Sequence, residues 1–136
     1  MMSLFPDRRG VSASEFAVAA PVLVLLLLGA YDVANVIQLS LRLERAARAG
    51  AGYAVVNPSN LAAVQSAVIA AWPSLTSAEV PLPVLACECA GAAAACTATC
   101  ASGLVKTITI TARRSVSPLL LSGMSEGTGS AVVRIR

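Results

Sequence analysis

The side chains with a capacity for chemistry are few and unevenly placed. Cys87, Cys89, Cys96 and Cys100 crowd into one short stretch, Glu15 stands alone at the head of a long apolar run, and histidine is absent. Lack of histidine removes the commonest general base and the commonest metal ligand. Glu79, Glu88 and Glu126 show no paired spacing suited to acid–base work, so no enzyme is expected. An even, clustered cysteine set behind an export-type N-terminus reads as two disulfides formed in an oxidising compartment. Cys87 and Cys89, at i and i+2, share one face of a strand, and Cys96 and Cys100 return across Ala-Gly-Ala-Ala-Ala-Ala from the other side of a hairpin. Three pairings are open in principle, and hairpin geometry favours the nested one, Cys87 with Cys100 and Cys89 with Cys96. A structural zinc site is the competing reading, disfavoured because exported thiols are usually oxidised. The C-x-C and C-x3-C spacings differ from the C-x-x-C of thioredoxin-like sites, which argues against a redox role. No metal and no cofactor is expected.

Composition says where such groups must be held. The 136 residues have room for about one domain on the usual ~100–200 residues per domain. Hydrophobic residues make up 57% and charged residues 12%, against ~45–50% and ~25% in soluble domains. A net charge of +3 is too mild to argue for nucleic acid as a partner. Aromatic residues are scarce at 4%, so any core outside a membrane is built of small and branched aliphatic side chains.

Residues 1–10, MMSLFPDRRG, form a short leader broken by Pro6. Residues 16–31 then carry no charge, and the run to residue 41 carries one, whereas a span needs ~20 apolar residues. The bilayer segment is therefore placed at about residues 16–36, with Pro21 in its early turns and Asp32 at the far interface as a solvated carboxylate or the partner of a neighbour's arginine. Beyond it Leu39, Leu43, Ala46, Ala47, Gly50, Tyr53 and Ala54 recur at helical spacing, with Arg42, Arg45 and Arg48 on another, solvated face. The helix should run over residues 11–56, roughly 70 Å at 1.5 Å per residue, and stop before Pro58. The exported remainder, residues 57–136, opens with a short helix capped by Ser59 and ending near Trp72-Pro73. Strands are predicted at 84–88, 104–116 and 131–136, with Gly123, Gly127 and Gly129 in the last loop. The fold class is α+β: a long N-terminal helix, a short helix and a small disulfide-stapled antiparallel sheet.

Three readings compete for the N-terminus. A secretory signal peptide wants a shorter core and a small-residue cleavage site, and none is clear. A plain single-pass anchor leaves Gly10 and Glu15 unexplained. A type IV prepilin signal accounts for both: a basic leader ending in glycine, cleavage after it, and glutamate at the fifth mature position. With Val11 first, Glu15 is fifth and Phe16 sixth. The block EFAVAAPVLVLLLLGAYDVANV, the following LERAARAGAGYAVV and the cysteine-bearing tail ending SAVVRIR resemble the TadE-like family, minor pilins or pseudopilins of the tight-adherence (Tad) pilus. Asp32, where glutamate is expected, and Gly52, where arginine is commoner, depart from that pattern.

The resemblance implies cleavage by a prepilin peptidase between Gly10 and Val11. It also implies pairing of the new Val11 amine with Glu15 of a neighbouring subunit, so that two charges costly in a membrane offset each other. The bland alternative is an interfacial Glu15 held by the helix dipole. The positive-inside rule does not settle orientation, since two leader arginines stand against three beyond the span; the prepilin signal and the cysteines both place the C-terminal region in the periplasm, with the helix in a bacterial inner membrane. Expected partners are the peptidase, other pilin or pseudopilin subunits and the pilus assembly machinery. Contact would be helix on helix through Ala17, Ala19, Ala20, Gly29, Ala30 and Ala34. The alternative is a membrane-anchored module that docks pilus or secretion machinery without entering a fibre.

Overall fold

The structure, a computed structural model, describes residues 9–101 and 103–135. Residues 1–8 of the expected leader lie outside the described residues, and of Gly10 and Val11 only the helical backbone is described. The chain folds as α1 (Arg9–Val56), α2 (Leu61–Ala71), β1 (Val84–Cys89), β2 (Ala92–Ala93), β3 (Leu104–Ser115) and β4 (Glu126–Ile135). This is the expected α+β arrangement.

Helix α1 runs unbroken for 48 residues through Pro21. Proline there removes one hydrogen bond, a loss the long alanine- and leucine-rich rod absorbs. It ends where Pro58 bars continuation, Asn57 N–H still bonding the Tyr53 carbonyl at 2.9 Å. The cap of α2 is Asn60 rather than the expected Ser59, its side-chain oxygen accepting from Ala63 N–H at 3.0 Å. Both residue types cap well, and the turn after Pro58 brings the second of them to the first free N–H groups. Gly50 lets α2 come close, since a Cβ there would strike the Val68 side chain and sit 3.3 Å from the Val64 carbonyl oxygen.

The sheet is antiparallel in the order β2-β1-β3-β4. Ile108, Ile110 and Ala112 alternate onto the face covered by α1, and there they meet Leu43, Ala46, Ala47, Val64 and Val68. β4 starts at Glu126, earlier than the expected residue 131, and Gly127 and Gly129 lie inside it rather than in a loop. The reason is packing. A Cβ on Gly127 would come within 2.7 Å of Leu39 Cδ2, and one on Gly129 would strike the backbone at Leu43 and Glu44. Two residues of strand advance ~6.6 Å and four residues of helix ~6 Å. β4 therefore runs alongside α1 in the same direction, with its glycines forming a trough for the rod.

This direction orders the whole domain. The β3–β4 loop lies toward the N-terminal half of α1, and the cysteines lie at the opposite end, where Cys89 pairs in register with Leu104. The disulfides join Cys87 to Cys96 and Cys89 to Cys100, with Cα separations of 5.1 and 5.8 Å, correcting the nested pairing. The hairpin turns at Ala90–Gly91, both with positive φ of 52° and 83°, two residues earlier than nesting requires. Alanines therefore stand opposite Cys89 and Glu88, and Ala94 N–H bonds the Cys87 carbonyl at 2.8 Å. Cys96 then folds back onto Cys87, and a further turn brings Cys100 to Cys89. All four thiols are consumed, which displaces the zinc reading. Reduction should cost about 2–3 kcal/mol per bridge in the chain-entropy description of loops this short. Thermal unfolding with and without reductant would read that loss, and non-reducing peptide mapping would check the pairing.

Candidate functional site

The first candidate region is the N-terminal face of α1. Gly10 and Val11 lie in its first turns and Glu15 one turn further on. Glu15 is exposed, and its carboxylate has no partner among the described residues. Phe16 beside it is 72% exposed. Residues 13–27 are exposed apart from a half-buried Ala20. Among the described residues only 6% of the most apolar window of the helix is buried, so this stretch, unlike the part of α1 from Leu43 onward, does not pack into the core. It is long and apolar enough to cross a bilayer. Of the small residues expected to allow close approach, Ala17, Ala19, Ala30 and Ala34 are exposed, and the space beside Gly29 is open.

The second region begins at Asp32, and here the structure overturns the expected solvated carboxylate. Asp32 is only 3% exposed. Its Oδ1 accepts from Leu119 N–H at 2.9 Å, and its Oδ2 accepts from Leu120 N–H at 2.7 Å and Leu121 N–H at 3.0 Å. One helical carboxylate thus satisfies three successive backbone donors of the β3–β4 loop, a charge-assisted set stronger than its neutral equivalent. Nothing local in the sequence announces this, because the partners lie 87 to 89 positions away. The available signal is a single acid within an apolar run, together with a Leu-Leu-Leu loop whose backbone needs acceptors.

Four further ionisable side chains, Glu44, Arg48, Glu79 and Arg114, have structural tasks. Arg48 pairs with Glu44 at 2.6 Å on the exposed face, and Arg42 and Arg45 are solvated as expected. Arg114 holds the segment after α2 to β3: its Nε lies 3.3 Å from Glu79 Oε1, it donates to Ser74 Oγ at 3.0 Å, and it stacks 5.2 Å from the Trp72 ring centre. Glu79 is held below the usual glutamate range. Thr76 N–H donating at 2.8 Å is the main cause, burial opposes it, and the Thr76 hydroxyl and Arg114 add to it. A carboxylate depressed in the folded state stabilises above its ordinary value near 4.5 and loses that contribution as pH falls through the folded value. Glu79→Gln should therefore lower Tm at neutral pH, and the gap from wild type should close as pH drops below 4.5. Melting curves across that range would check it.

Among the described residues no group of three or more histidine, cysteine, aspartate or glutamate side chains could hold a metal ion. Glu15 and the cysteine cluster lie at opposite ends of the molecule, so the structure does not bring the expected site residues into one site. Residues 10–52 match the family model described as TadE-like protein. The matched segment takes in Gly10, Glu15, the exposed apolar run and Asp32, and stops before α2 and the sheet. The likeness to TadE-like proteins covers this part of the chain alone. No curated protein and no solved structure matches the chain.

Proposed function

We propose that the chain is a non-catalytic minor pilin or pseudopilin of a Tad-type adhesion pilus, cut by a prepilin peptidase between Gly10 and Val11 and taking part in assembly or initiation of the fibre. The observation that carries this reading is the spacing of Gly10 and Glu15 on a helix whose apolar N-terminal run is left largely exposed by the described residues, within the TadE-like match. Before assembly the exposed run crosses the inner membrane, with the domain of residues 57–136 in the periplasm. Residues 13–31 span about 28 Å, close to the ~30 Å of a hydrocarbon core. The membrane part thus ends where Asp32 meets the domain, short of residue 36. In the fibre the same surface packs on neighbouring helices, Gly29 and the exposed alanines allowing close approach. There the Val11 amine of one subunit pairs with Glu15 of another.

N-terminal mass spectrometry of the protein made with and without the peptidase tests the first step. A start at Val11 with the enzyme and at the intact leader without it is expected; an intact leader in both would remove the prepilin reading. Glu15→Ala should then leave cleavage normal and abolish incorporation. Crosslinks between cysteines placed along residues 16–36 of neighbouring subunits separate an assembly element from a simple tether, which would give none.

A further inference from the structure

The loop between β3 and β4 joins features that a water-facing loop does not need together. Residues 116–125, VSPLLLSGMS, carry no charge, and its ends are tied by Val116 N–H to the Ser125 carbonyl at 2.8 Å. Its apolar side chains point outward: Leu119 is 66% exposed, Leu120 45% and Met124 38%. They do so at the level where α1 leaves its uncovered stretch. Leu119 lines an open apolar groove with Leu27, Leu28 and Tyr31 of the helix, so the loop surface continues the helix surface. The backbone supplies an independent observation. In water the N–H groups of a loop tip are solvated at no cost, whereas at a hydrocarbon boundary each must find a protein acceptor. Asp32 supplies those acceptors to Leu119, Leu120 and Leu121, and to no other residue in the loop.

We propose that residues 117–124 form a second membrane contact, which inserts Leu119, Leu120 and Met124 among lipid acyl chains at the outer boundary of the span, pinned to α1 by Asp32. This rests on the reading of α1 as a membrane helix and deepens it. The occupant is lipid because the surface is continuous with the span, lies one helix length of about 28 Å from Ala13, and has no charge with which to select a protein partner. A helix held at one point swivels and tilts freely. Held by a loop as well, it fixes how the exported domain sits on the bilayer. Withdrawal into a fibre must then peel the loop from lipid along with the helix.

The test uses the full chain in vesicles of phosphatidylethanolamine and phosphatidylglycerol. A single added cysteine is labelled with an environment-sensitive fluorophore after the two disulfides have formed. Labels go at Leu120, at Leu23 as the span control and at Ser59 as the aqueous control, each read against doxyl-labelled acyl chains. The Leu120 label should be blue-shifted and quenched by shallow doxyl groups, the Leu23 label by deep ones, and the Ser59 label by neither. Asp32→Ala should abolish quenching at position 120 and leave position 23 unchanged. Quenching at 23 with none at 120 overturns the loop proposal and leaves the anchor reading standing; quenching at neither removes both. A blue shift at 120 that grows with protein density and has no lipid quenching puts a second copy there instead, and also overturns it.

Discussion

Asp32→Ala is expected to lower the stability of the C-terminal domain by about 2–4 kcal/mol and to free the β3–β4 loop for proteolysis. An orphaned buried donor costs ~1–3 kcal/mol, and three lose their acceptor at once. The total stays below three times that cost because part of the loop can swing out and be solvated. In a domain of this size each kcal/mol moves Tm by ~4–8 °C. The shift should be plain in thermal unfolding followed by circular dichroism in nanodiscs, and chymotrypsin should cut after the freed leucines. Asp32→Asn keeps one acceptor oxygen and should fall between. An alanine variant with wild-type Tm and an intact loop would mean that the three hydrogen bonds carry no net stability.

Gly129→Val should be more damaging still, because what its side chain meets cannot move aside. The added Cβ strikes backbone atoms of Leu43 and Glu44, and no rotamer of α1 relieves that. Either β4 lifts from the helix or its pairing with β3 breaks. Overpacking of a yielding core costs ~1–3 kcal/mol, and a backbone clash at the centre of this interface should exceed it. Gly127→Ala provides the comparison, since its Cβ meets the flexible end of Leu39 at 2.7 Å and a side-chain rotation absorbs part of the conflict. At Gly29 nothing lies within 4 Å, and alanine there should stabilise the isolated helix by up to ~1 kcal/mol. Denaturant unfolding of the three variants should rank them in that order, and equal losses at 127 and 129 would contradict the trough.

What the sequence makes legible depends on the range of the forces involved. Helix α1 and the strand alternation of β3 depend on periodicity within one segment, and both can be read from the order of residues alone. So can two disulfides from four clustered cysteines. Their pairing cannot, because the length of the alanine stretch suggests a later turn, whereas Ala90–Gly91 set the turn by their positive φ. Gly127 and Gly129 read as loop residues because glycine lacks strand propensity; here its lack of a side chain is what the neighbouring helix requires, a demand made by residues more than eighty positions away. Asp32 belongs to the same class. Its partners are backbone groups, identical at every position, so the lone acid and the Leu-Leu-Leu loop hint at a need on each side without saying that one meets the other.

One continuous helix carrying both Glu15 and Asp32 has a further consequence, which concerns azimuth rather than distance. Each residue turns the helix by about 100°. The C-terminal domain is locked in angle at Asp32, and the proposed clasp sits at a set angle on the same rod, so the number of residues between them decides which way the domain faces when Glu15 meets its partner. Removing one residue from that interval shortens the rod by only ~1.5 Å yet swings the domain more than a quarter turn around it. Length along this segment is forgiving; phase is not.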